Sequence, residues 1–177
     1  LLLLSPWRLC DRLSPLLKNH DTTARVINVV SGGMYAERLN LKRLNMTSDG
    51  YRGALAYAQC KRALSIMTEI WAERWREHNL VVNAMHPGWS DTPGVQKSLP
   101  LFRRLTRLAL RSHAEGADTV VWMAQSNQAA LSTGKLFLDR EPRSTYLLGN
   151  KAESEDDRKA LEPRLKHDFE CTLIAAS

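Results

Sequence analysis

The chain has 177 residues, of which 44% are hydrophobic and 25% charged, and a net charge of +6. That length fits one domain with a sizeable core, and no apolar run approaches the ~18 residues a membrane-spanning helix needs. The charge is uneven: Lys and Arg outnumber Asp and Glu by 18 to 10 through residue 138 (+8) and trail by 7 to 9 after it (−2). A basic excess of this size suits a small phosphate-bearing ligand and falls short of a nucleic-acid-binding signature, so no nucleic acid is expected as a partner.

Three cysteines, Cys10, Cys60 and Cys171, are odd in number and far apart. They form neither a disulfide framework nor a paired metal motif, which points to a reducing, intracellular compartment such as the cytoplasm. His20, His78, His86, His113 and His167 lack zinc spacing and read as surface or core residues, so no metal site is expected. The opening "LLLL" has no basic segment before it and meets Pro6, Arg8 and Asp11 at once, unlike a signal peptide.

In chain order, "CDRLSPLLKNHD" spaces Leu9, Leu13, Leu16 and Leu17 as a helix ending near Asn19. "ARVINVV", 24–30, is a β-branched, continuously apolar run of the kind found in strands buried on both faces. It stops at the glycine turn "SGGM". Residues 35–53 form a polar loop with "SDGYRG" as its turn signal. A long helix is expected from about Ala54 to His78, with Leu64, Met67, Ile70, Trp71 and Trp75 along one side. Glu69, Glu73, Arg74, Arg76 and Glu77 fall largely on its solvent side, and Asn79 is a plausible stop.

"LVVNAMHPG", 80–88, reads as a second strand closed by a Pro-Gly turn. "PLFRRLTRLALRSH", 100–113, is an amphipathic helix whose Arg103, Arg104, Arg107 and Arg111 oppose Leu101, Leu105 and Leu108; it reads as a solvated lid face rather than a lipid or phosphate site. "EGADTVVWMAQS", 115–126, is another helix and "GKLFLD", 134–139, a third strand. After Glu141 the chain turns polar and charged, so 1–140 is read as the α/β domain and 141–177 as a terminal helix or partly ordered tail. Trp7, Trp71, Trp75 and Trp122 are core by spacing, whereas Trp89 follows the Pro-Gly turn.

Strands separated by crossover-length helices imply a parallel α/β sheet, whose ligand sits beyond the carboxyl ends of the strands. Ser31 and the segment from His86 to Thr92 follow strand ends directly. Tyr57 and Lys61 lie four apart in the first turns of a helix, on one face. A Y-x-x-x-K pair arises by chance in roughly one chain in three of this length, so its neighbours must decide its meaning.

"RVINVVSGG", then "YAQCK", then "VVNAMHPGWSDTPG" together resemble the second half of a short-chain dehydrogenase/reductase, over residues from about 9 to 140. The resemblance implies an α/β fold, the C-terminal half of a doubly wound, Rossmann-like parallel sheet containing strands five to seven with flanking helices. It implies NAD or NADP as cofactor and a small-molecule carbonyl or secondary alcohol as substrate. Tyr57 then matches the proton donor. A free phenol titrates near 10, and an ammonium one turn away favours its phenolate, which is the role Lys61 matches. The family lysine also binds the nicotinamide ribose, so Tyr57 and Lys61 are cofactor-binding candidates as well. Ser31 matches the serine that orients the substrate carbonyl. Pro87, Gly88, Ser90 and Thr92 match the turn that holds the nicotinamide carboxamide, with Ser90 standing where the family pattern has valine. Trp89 would wall the substrate pocket, and Asn83 resembles a structural asparagine of the motif.

The front of the family pattern is absent. There is no T-G-x-x-x-G-x-G turn and no N-A-G segment, so the glycines that let a backbone approach pyrophosphate are missing. The expectation is a fragment or shortened product lacking the adenine-side site. Its function would then be either oxidoreduction or, with catalysis lost, service as an interaction module. "RVINVV" matches family strand five, so its strand-four neighbour would be absent. An edge of that kind favours homo-oligomers through the sheet edge or the helices.

Overall fold

The computed structural model describes residues 1–19, 21–89, 110–147 and 152–176. Its main elements are α1 (Leu4–Lys18), β1 (Ala24–Val29), α2 (Gly53–Arg74), β2 (Leu80–Met85), α3 (His113–Gln125), β3 (Leu136–Leu138), β4 (Glu141–Arg143) and α4 (Glu155–Ala176). Short 3-10 turns at Gly32–Ala36, Leu41–Arg43 and Ser48–Gly50 lead from β1 to α2. The expected helix over 100–113 lies, up to residue 109, outside the described residues.

The fold is α/β. Four strands form one sheet in the order β1-β2-β3-β4; β1–β2 and β2–β3 are parallel, and β3–β4 is antiparallel. β1 and β2 pair along their whole length, from Ala24 opposite Leu80 to Val29 opposite Met85. Their carboxyl ends therefore finish side by side, which fixes where the following loops meet.

α2 is the central helix. Its Ala63, Leu64, Ile66, Met67 and Trp71 are buried against β1 and β2 on one side and α4 on the other. Trp71 and Trp75 stack with ring centroids 5.8 Å apart. α4 seals the opposite side of α2 with buried Leu161 and Leu165 and an Arg74–Glu162 ion pair. Arg158 bridges Glu69 and Glu153, each at 2.9 Å.

Two features go beyond the sequence pattern, and one expectation, the burial of β1 on both faces, needs correction. Leu9, Leu13 and Leu16, which carry the helical spacing of α1, are exposed, and the face that packs inward is Leu3, Trp7, Cys10 and Ser14. Trp7 decides this: its large ring lands 6.1 Å from the Phe169 ring of α4, and an indole buries more area than any leucine. β1 is not buried on both faces. Val26, Asn28 and Val30 are buried, but Val29 is 43% exposed. The face opposite α2 is covered only in part by α3, which Arg25 reaches through bonds to Met123 O (2.7 Å) and Ser126 O (2.8 Å). β4 was not foreseen. Asp139 (φ 55°) and Arg140 (φ 60°) form a left-handed two-residue turn without glycine, the backbone geometry that closes a tight hairpin. Ion pairs from Asp139 to Arg111 and from Arg140 to Asp118 hold that turn.

Candidate functional site

The site begins where β1 ends. Val30 N–H donates to Met85 O at 2.8 Å, tying the exit of β1 to the exit of β2. Ser31, still extended (φ −151°, ψ 148°), caps the turn Gly32–Ala36, and its Oγ accepts the Gly33 N–H at 3.2 Å. The turn packs against α2 at Gly33, whose Cβ position lies 3.6 Å from Ser31 Oγ and 3.7 Å from Tyr57 Cε1, ordinary contact distances. The Ser31 hydroxyl and the Tyr57 ring therefore both border the side-chain position of Gly33. Tyr57, in the second turn of α2, is 39% exposed and faces outward from the core.

Lys61 stands one helical turn further on. Its Nζ lies 5.8 Å from the centroid of the Tyr57 ring and donates to Val29 O at 2.8 Å. Burial pulls its pKa below the ordinary amine value, and neighbouring Cys60 opposes this weakly. An ammonium has three donors and, among the described residues, Val29 O takes one, so two remain for a ligand such as a ribose diol.

The exit of β2 supplies the second wall. His86 is buried (7% exposed), lies edge-on to Tyr35 at 6.0 Å, and faces Gly32. Its Nδ1 accepts the Gly88 N–H at 3.2 Å, which requires an unprotonated Nδ1. Burial first, then the Arg111 charge, depress its pKa, with Asp139 opposing. Gly88 has φ +72°, and Arg111 packs so closely that a Cβ there would lie 2.7 Å from its Nε. Arg111 is itself held by Asp139 through a fork of 2.5 and 2.8 Å and by its N–H to Trp89 O at 2.8 Å. Trp89 is 47% exposed beside this turn. Ser90 and Thr92 lie outside the described residues.

Of the predicted residues, Ser31 Oγ and the Tyr57 ring both border the Cβ position of Gly33, Lys61 follows Tyr57 by one helical turn, and Pro87–Gly88 lie at the neighbouring strand end. Asn83 serves the fold: it donates to Ser132 O and accepts from Lys135 N–H, both at 2.8 Å. Sequence reasoning passed over His86, although its place just before the Pro-Gly turn of a strand end was a usable signal. It also passed over Arg62 and Gln59, two fully buried polar residues of α2.

For a nicotinamide nucleotide, the donors present fit the nicotinamide and ribose end, through Lys61 and the Tyr57 hydroxyl at the carboxyl ends of parallel strands. The sequence holds no glycine-rich turn for the pyrophosphate. Among the described residues no cluster of three or more His, Cys, Asp or Glu could hold a metal ion, and no helix is long and apolar enough to cross a membrane.

No family model matches the chain. It is 44% identical over 138 residues to dehydrogenase/reductase SDR family member 12 from Homo sapiens, covering 76% of this chain and 42% of that relative. The chain therefore spans less than half the length of this curated protein. Among solved structures, an uncharacterized protein from Mycobacterium paratuberculosis superposes with a TM-score of 0.65 at 25% identity, covering 93% of this chain and 55% of that one. A short chain dehydrogenase from Salmonella enterica serovar Typhi superposes with a TM-score of 0.54 at 21% identity, covering 74% and 46%, and shares the fold. The identity to the human relative runs through most of this chain, and these solved structures share its α/β fold: the chain belongs to the short-chain dehydrogenase/reductase family.

Proposed function

We propose that this chain carries the catalytic half of an NAD- or NADP-dependent oxidoreductase that interconverts a carbonyl and a secondary alcohol. The observation that supports the reading is that the Ser31 hydroxyl and the Tyr57 ring both border Gly33, with Lys61 one turn further along α2. Bound there, the nicotinamide would donate or accept the hydride. The chain's own groups do the rest. Ser31 Oγ donates a hydrogen bond to the substrate oxygen and orients it. The Tyr57 hydroxyl delivers a proton to that oxygen in reduction and removes it in oxidation. Lys61 lends its positive charge to the phenolate left behind and keeps two donors for the ribose. Pro87, Gly88, Ser90 and Thr92 would hold the carboxamide, and Trp89 would wall the pocket.

Tyr57→Phe tests the assignment. With NADH or NADPH and a panel of aldehydes and ketones, the variant should lose turnover by ~10²–10⁴-fold while cofactor affinity stays near wild type. A variant that keeps more than about a tenth of wild-type kcat would refute the acid/base role.

A second reading, a catalytically inactive interaction module, is favoured by the position of β1. It stands at the edge of the described sheet with Val29 exposed, and such an edge can pair with another chain. Calorimetry separates the two. Saturable micromolar binding of NADH or NADPH supports the enzyme. No binding, together with concentration-dependent association in sedimentation, supports the module.

A further inference from the structure

Two successive cations of α2 hold opposite ends of the segment that carries Ser31. Lys61 binds Val29 O ahead of it. Arg62 reaches beyond it, donating from Nη2 to Met34 O (3.0 Å), from Nε to Glu37 O (3.2 Å) and from Nη1 to Thr145 O (2.7 Å). Three residues earlier on the same face, buried Gln59 accepts the Asn40 N–H at 2.9 Å and donates to Arg38 O at 2.7 Å. Every residue from 29 to 40 is thereby spanned by main-chain anchors from three side chains of one helix.

Arg62 is 1% exposed, and a buried cation is costly unless its donors are satisfied. Its plane lies on the Tyr146 ring at 4.9 Å. The Tyr146 hydroxyl donates to Glu153 at 2.5 Å, so the compensating acid is reached through an aromatic intermediary and the guanidinium N–H groups stay on carbonyls. Burial lowers the guanidinium pKa, offset in part by Tyr146 and Glu153. A lysine could carry the charge, but only the planar fork reaches carbonyls in three directions at once. The same fork joins the turn after β1 to the strap after β4, where Tyr35 adds a bond from its hydroxyl to Ser144 O at 2.7 Å.

We propose that Arg62, assisted by Gln59, is a positioning residue: it fixes the Ser31–Glu37 turn against α2 and so sets Ser31 relative to Tyr57. This rests on the oxidoreductase reading above, where a displacement of ~1 Å at the reacting groups can cost on the order of 10²-fold in rate.

The test uses the whole 177-residue chain as wild type and Arg62→Lys, with two readouts. Amide hydrogen exchange compares Gly33, Met34 and Glu37, whose N–H groups are bonded within the turn, with Val82–Met85 in β2. Turnover is followed as NADPH oxidation with a panel of aromatic aldehydes and ketones. Arg62→Lys should unfold cooperatively, keep β2 protection, and exchange the turn amides about tenfold faster or more. Its kcat should fall about tenfold or more while KM for NADPH stays within about twofold. A uniform rise in exchange through turn and β2, with kcat of the folded fraction unchanged, would mean a purely structural arginine and overturn the proposal. Unchanged turn exchange beside an active wild type would overturn the clamp alone. No turnover together with no saturable NADPH binding in the wild type would overturn the oxidoreductase reading, and with it the positioning role, while exchange still reports whether the clamp exists. Should Arg62→Lys fail to fold, Gln59→Met removes the outer anchor and gives the same comparison.

Discussion

Acidification should loosen the wall formed by the exit of β2, through His86. Its Nδ1 accepts the Gly88 N–H, and a protonated Nδ1 would present a second donor to that group and release the bond. In the folded chain the His86 pKa lies below its ordinary 6.5, because burial disfavours the imidazolium and Arg111 adds repulsion that Asp139 only partly offsets. Between the depressed folded value and 6.5 the unfolded chain therefore binds more protons than the folded one. Stability contributed by neutral His86 is complete above about pH 6.5 and is lost as pH falls through that window, at no more than about 1.4 kcal/mol per pH unit. For a chain of this size that is roughly 3–5 °C of Tm per unit. His86→Asn keeps an acceptor near the Nδ1 position and cannot titrate, so it should remove this slope. Thermal melts of both proteins at pH 7.5, 6.5 and 5.5 read the difference directly. Parallel Tm–pH curves for wild type and variant would refute the reasoning.

Gly88→Ala should destabilise the same turn, because φ of +72° costs an L-residue ~1–2 kcal/mol and the new methyl would push Arg111 off Asp139; an unchanged melting temperature would count against the described turn. Leu161→Ala should cost ~2–5 kcal/mol, or roughly 5–15 °C, if α4 is a docked part of the core, and a loss below about 1 kcal/mol would show that it is not. Thiol labelling offers a third check. Burial pushes the Cys10 thiol up to about 11, so at pH 8 a disulfide reagent should modify exposed Cys171 promptly and reach Cys10 only after denaturation.

Much of the architecture is legible in local pattern. Short β-branched apolar runs and helical periodicity place β1, α2, β2, α3 and β3 within a few residues, because those patterns follow from backbone geometry. Ser31, Tyr57 and Lys61 are legible for a related reason: strand ends and helix starts in a parallel sheet converge on one edge, so residues 26 and 30 positions apart in sequence can be placed together once the order of elements is known. Gly33, by contrast, acquires meaning only when the turn after β1 is seen packed against α2.

What local pattern leaves open is which face of an element is buried, because that depends on partners far along the chain. Leu9, Leu13 and Leu16 of α1 point outward while Trp7 turns inward to meet Phe169, more than 150 residues away. Val29 is exposed because α3 covers only part of its face of β1. The β3–β4 hairpin closes on Asp139 and Arg140, whose left-handed backbone is held by Arg111 and Asp118 rather than by glycine. Arg62 is the extreme case. Hydropathy assigns an arginine to solvent, yet carbonyls from two distant segments and the Tyr146 ring converge to satisfy it in the core. The sequence alone determines the elements and the chemistry of their ends; the burial of a charge is decided only by the tertiary structure, since only there can enough fixed dipoles be assembled around it to replace water.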